Sequence, residues 1–118
     1  MVRTEPGEVY AVARHVRITP QKARVVVDLV RGRPVDEALA MLRYVPRRAA
    51  PLVRKVVESA AANAAENLGL TRRELVISRA FVDAGPTLKR FHPRQRGQAF
   101  PILKRTAHIT IMVRSREV

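Results

Sequence analysis

From Val9 the chain alternates, with Tyr10, Val12, Val16 and Ile18 on one side and His15 and Arg17 on the other, which predicts a strand with one basic face. The preceding residues, Met1 to Glu8, show no period and are expected to be loose. Thr19-Pro20 then marks a helix start, because a Thr side chain can accept from the orphan N–H groups of a first turn and Pro is tolerated in the first helical position. Ala23, Val26, Val27 and Val30 follow at helical spacing, and Gly32 stops the helix. Val35, Ala38, Leu39 and Leu42 repeat that spacing in a second, shorter helix that Pro46 closes. A third and longest helix is expected from about Arg48 to Leu68, with Pro51 confined to its first turn and Gly69 ending it. Its middle, Ser59 to Asn67, is rich in Ala, which favours helix and allows close approach, expected as a tight contact of helix on sheet with an external ligand as the alternative. Strand patterns return from Leu75 to Val82 and from Thr106 to Val113, where Ala107, Ile109, Ile111 and Val113 form one apolar face. The 118 residues suit one domain with one modest core.

Between the last two strands, at about residues 83–106, lies a segment that fits no core. From Ala84 through Ser115 there is no acidic residue, while Lys89, Arg90, Arg94, Arg96, Lys104, Arg105 and Arg114 supply seven cations. Self-repulsion opposes collapse of such a segment. Two strands continuing past the core would form an antiparallel ribbon turning near Pro93 to Gly97, with arms of about 10 residues reaching about 33 Å. A free hairpin of that length is marginal in water, so an anionic partner is expected to order it.

The whole composition agrees. Lys and Arg number 23 against 10 Asp and Glu, a formal net charge of +13, and an excess that large calls for a polyanion. Of the cations 19 are Arg, whose planar fork grips a phosphate through two parallel hydrogen bonds. Cysteine is absent, which removes disulfides, thiolate zinc sites and a Cys nucleophile. Neither a signal peptide nor a membrane-length apolar run is present, so a soluble protein inside the cell is expected.

Catalytic patterns are missing. His15, His92 and His108 stand far apart without metal-ligand spacing, and they are read as ordinary polar residues. Ser59, Ser78 and Ser115 lack a Gly-flanked elbow, and Gly85-Pro86 is a turn signal and no phosphate loop. Asp28, four residues after Arg24, suggests an ion pair on a helix face. Neither enzyme activity, cofactor nor metal is expected. Aromatic residues (Tyr10, Tyr44, Phe81, Phe91 and Phe100) are too few and scattered for base-by-base stacking on a sheet, which favours recognition of phosphate and shape. Phe91 and Phe100 flank the basic turn, where either could stack on a base or brace the loop.

The run Asp83-Ala84-Gly85-Pro86-Thr87-Leu88-Lys89-Arg90, then Pro93-Arg94, Gly97 and Lys104 through Ile111, closely resembles the hairpin of bacterial large-subunit ribosomal protein twenty-two. Val16 through Arg24, Asp28 through Gly32, Ala38 and Ser59 through Ala64 match the helical half of that family, so the resemblance covers nearly the whole chain beyond Glu8. It implies an α+β fold of three helices against a small antiparallel sheet, with the long hairpin protruding. It further implies a structural constituent of the large subunit that binds 23S ribosomal RNA, aids assembly and lines the peptide exit tunnel. The implied partners are that RNA, neighbouring proteins including ribosomal protein four, and the nascent peptide in passing, all in the cytoplasm and without a membrane. Carried onto this chain, the RNA contacts fall on Arg14, Arg17, Lys22, Arg24, Arg31, Arg33 and Asn63 in the domain. In and beside the hairpin they fall on Lys89, Arg90, Arg94, Arg96, Lys104, Arg105, Thr106 and His108. Departures from the family pattern are Gln21 for a basic residue, Gln95 for Ala, Gln98 for Arg and Ala107 for Ser.

Two other classes compete. Pro20 to Tyr44 could be a helix-turn-helix that reads DNA, although its second helix would offer Asp36, Glu37 and Ala40 to the groove. An adaptor or chaperone for acidic proteins would also use a basic surface.

Overall fold

The computed structural model describes residues 7–85, 88–93 and 99–116. Strand β1 (Glu8–Val16) leads into helices α1 (Pro20–Val30), α2 (Val35–Leu42) and α3 (Ala49–Leu68), followed by a 3₁₀ turn at Arg72–Glu74. Four strands close the chain: β2 (Leu75–Ala84), β3 (Leu88–Pro93), β4 (Ala99–Lys104) and β5 (Ala107–Ser115). β5 is the centre of a three-stranded antiparallel sheet ordered β1-β5-β2, and β3 pairs with β4 in a separate two-stranded sheet. The fold is α+β.

The core forms where the helical stripes meet one face of the three-stranded sheet. Val26, Val27 and Val30 of α1 and Val53 and Val57 of α3 are fully buried with Leu75 and Ile77 of β2. Ala107, Ile109, Ile111 and Val113 of β5 have no exposed surface either, so the expected apolar face is the core face. In α3, Ala60, Ala61 and Ala64 are buried, and their small side chains bring the helix directly onto β1 and β5. Gly69 ends α3 in the left-handed region at φ 67°, and Gly32 (φ 79°) follows α1. Gly32 also donates its N–H to the carbonyl of Ile77 (3.1 Å), tying the α1–α2 link to the edge of β2.

Several local expectations are corrected. The core side of β1 is Val9, Ala11 and Ala13, while Tyr10 is 41% exposed and Val12 is half-buried. The cause is a register shift between Ala13 and Val16, where His15 takes φ 57°. One extra residue reverses the phase of a strand, so Val16 packs on the core although it shares the parity of Tyr10. Glu8 is not loose: it begins β1, and its carboxylate, with 4% of the side chain exposed, accepts from Ser78 Oγ (2.5 Å) and pairs with Arg79 (2.5 Å). Residues 1–6 lie outside those described. Thr19 is the N-cap of α1 yet its side chain makes no cap bond. Asp28 pairs with Arg31 (2.8 Å) and not with Arg24, whose guanidinium is drawn to a β2 carbonyl instead.

The hairpin is one ribbon in order but not in pairing. The β2–β5 ladder runs to Ala84 and Ala107, Gly85 N–H then bonds Thr106 C=O (2.9 Å), and β3–β4 pairing runs from Leu88 opposite Lys104 to Pro93 opposite Ala99. The expected turn near Pro93 to Gly97 falls largely on residues 94–98, outside those described.

Candidate nucleic-acid interface

The chain leaves β1 by a tight turn in which Ile18 N–H bonds Val16 C=O (2.8 Å). Ile18 is buried as an anchor, and its neighbour Arg17 is thereby turned outward. Lys22 follows in the first turn of α1, and Pro46, Arg47 and Arg48 enter α3 beside it. Arg105 joins from the link between β4 and β5. Together with Thr19 and Ala49 these residues line an open cleft of about 650 Å³ with five cations and no acid. The N-termini of α1 and α3 both border it, neither first turn carries an acidic residue, and neither N-cap side chain makes a capping bond. The positive ends of two helix dipoles reinforce the guanidinium charge, a setting that favours a phosphate.

The expected contact residues divide by what they already hold. Arg17, Lys22 and Arg105 share the cleft. Arg24 donates to Val82 C=O (3.1 Å), and Arg31 donates to Ala80 C=O through Nε (3.0 Å) and Nη2 (2.6 Å). Both arginines thus satisfy carbonyls on the outer edge of β2. Arg33 bonds Leu29 C=O and pairs with Glu37 at 2.8 Å. Arg14 is exposed on β1, near Asn63, whose carboxamide donates to Tyr10 C=O (3.0 Å). Thr106 is buried at the hairpin base against Gly85. His108 is half-buried; its Nδ1 accepts the His15 N–H (3.1 Å), and the two rings meet edge to face at 4.9 Å. Two histidines 93 positions apart are therefore neighbours, held together by the bulge in β1. Lys89, Arg90 and Lys104 lie on the β3 and β4 backbones, and Arg94 and Arg96 lie outside the described residues.

Arg47 and Arg48 were not among the expected contacts. Their signal was legible: cations at a helix N-terminus oppose the helix dipole, so two of them before an Ala-rich helix indicate a purpose other than helix stability. Among the described residues no group of three or more His, Cys, Asp or Glu is placed to hold a metal ion. No helix, among the described residues, is long and apolar enough to cross a membrane. The family model described as ribosomal protein L22p/L17e matches residues 11–114, nearly the entire chain.

Proposed function

This chain belongs to the ribosomal protein L22p/L17e family, and from that premise we propose that it grips 23S ribosomal RNA through its basic cleft, aids subunit assembly and lines the peptide exit tunnel with its hairpin. Membership makes it a structural, non-enzymatic constituent of the large ribosomal subunit in the cytoplasm. That identity displaces the helix-turn-helix reading, and Asp36, Glu37 and Ala40 are indeed the exposed positions of α2.

The observation that carries the RNA reading is the cleft: five cations, no acid, and two helix N-termini without acidic first turns at one place. Phosphates are held there by Arg17, Lys22, Arg47, Arg48 and Arg105. Arg105 joins the cleft to the base of the hairpin, so one RNA strand could pass from the domain to Lys89, Arg90, Arg94, Arg96 and Lys104. Arg24, Arg31 and Arg33 hold the domain together first and turn their remaining N–H donors to phosphate second. Arg14 and Asn63 on the β1 side, and Thr106 and His108 at the hairpin base, complete the proposed contact set. The proposed protein neighbour at the tunnel is ribosomal protein four, with the nascent peptide passing the hairpin.

The test is reconstitution of large subunits with an Arg17→Gln/Arg47→Gln/Arg48→Gln variant. The variant is expected to co-sediment with subunits in low salt and to be stripped at a salt concentration that the unaltered chain withstands. Equal retention of both would refute the cleft as the RNA grip.

A further inference from the structure

Among the described residues, Tyr10, Val25, Leu29 and Leu68 are large apolar side chains with 37% to 45% of their surface exposed, whereas Tyr44 has 85% exposed. Both faces of its ring are open to solvent. The backbone that carries it is nonetheless braced. Tyr44 lies in the link of residues 43–48 between α2 and α3, where its N–H bonds Met41 C=O (3.0 Å) and Arg47 N–H bonds Val45 C=O (2.9 Å). Ala50 N–H bonds Arg47 C=O (3.1 Å) at the far end of the link. Leu42 before the ring is buried, Val45 after it packs against the core, and Pro46 fixes a further φ. With those neighbours turned inward, the Tyr44 ring is held outward, and covering it would be favourable.

The surroundings select what covers it. No acidic residue occurs from Ala38 through Val57, and Arg43, Arg47 and Arg48 beside the ring are all exposed. Arg47 and Arg48 line the cleft, and the three residues of chain from Tyr44 to Arg47 span no more than about 11 Å. A strand whose phosphates lie in the cleft therefore brings its bases within reach of the ring. Every base has a π-face to offer, and an unpaired base loses least by leaving its stack. We infer that Tyr44 is the stacking platform for one unpaired base of the bound RNA. The inference rests on the RNA reading of the cleft and adds to it a contact that senses whether a base is unpaired, which phosphate contacts do not.

The test compares the full chain with its Tyr44→Leu and Tyr44→Phe variants in binding to deproteinised 23S ribosomal RNA and to a fully paired RNA duplex, across a range of salt concentrations. Tyr44→Leu keeps an apolar side chain but removes the ring, and it is expected to weaken binding to the 23S RNA by about fivefold or more. Its salt slope should match that of the unaltered chain, because no phosphate contact is lost. Tyr44→Phe keeps the ring and is expected to bind as the unaltered chain does. On the duplex, where every base is already stacked, all three proteins should bind alike. Undiminished binding of Tyr44→Leu to the 23S RNA, with a steep slope for the unaltered chain, would overturn the stacking, leave the cleft reading standing and point to a protein as the partner of the ring. An equal loss in Tyr44→Phe, or an equal loss on the duplex, would also overturn it. So would a lowered unfolding midpoint of free Tyr44→Leu, which would mean that the ring packs on its own chain. A salt slope shallower than about −2 for the unaltered chain would remove the cleft reading, and this inference with it.

Discussion

Arg31 and Arg48 carry the same charge and are predicted to fail differently. Arg31 donates twice to Ala80 C=O on the β2 edge, so Arg31→Met is expected to cost about 1–2 kcal/mol by leaving that carbonyl unpaired. Thermal unfolding would report this, with a smaller change in RNA affinity. Arg48 sits in the cleft at the N-cap of α3, where a cation opposes the helix dipole. Arg48→Met is expected to leave stability unchanged or raise it by a few tenths of a kcal/mol, while flattening the salt dependence of RNA binding by about 0.7 to 0.9. The reverse assignment of effects would show that the cleft is structural. Gly85 is constrained by space: a Cβ there would collide with Thr106 Oγ1, a buried β-branched side chain that cannot swing away, and would press on the His108 ring. Gly85→Ala is therefore expected to destabilise the domain by about 1–3 kcal/mol, read as a lowered unfolding midpoint. An unchanged midpoint would mean that the hairpin base relaxes freely.

Elements were legible in the sequence to the extent that their determinants are local. The three helices follow from apolar spacing, with Gly32 after α1 and Gly69 ending α3, and the core face of β5 follows from strict alternation. β1 was read on the wrong face because its phase depends on the extra residue at the His15 bulge, and no turn residue announces that bulge. Arg24 was expected to pair with Asp28 because the competing acceptor, Val82 C=O, is 58 positions away. The cleft was partly visible: Arg17, Lys22 and Arg105 belong to recognisable segments, Arg47 and Arg48 were not among the expected contacts, and only the fold shows that all five meet. β3 and β4 pair with each other and join neither edge of the three-stranded sheet. Replacing residues 88–104 by a short turn is therefore expected to lower the unfolding midpoint by only a few degrees, equivalent to about 1 kcal/mol or less. The shortened protein should still enter subunits through the cleft, with altered chemical probing of RNA at the tunnel wall. If the deletion unfolds the domain, the hairpin is part of the core and the division into domain and arm is wrong.

At the scale of the whole molecule, a chain of 118 residues spans 64 × 32 × 19 Å while carrying a net charge of +13. An elongated body with that charge repels itself, and neutralisation by the proposed RNA partner would remove the repulsion. In the proposed arrangement the helices and the three-stranded sheet are the rigid part, the cleft is the grip, and the β3–β4 ribbon carries further cations of the sequence. Counterion release measures this arrangement directly, because each neutralised phosphate steepens the fall of log K with log salt by about 0.7 to 0.9. The most direct test is the affinity for 23S ribosomal RNA across a range of salt concentrations, for the full chain and the Arg17→Gln/Arg47→Gln/Arg48→Gln variant. The account predicts a slope of about −4 or steeper for the full chain, flattened by about 2 to 3 in the variant. A slope shallower than about −2 for the full chain, or the same slope for both proteins, would contradict it.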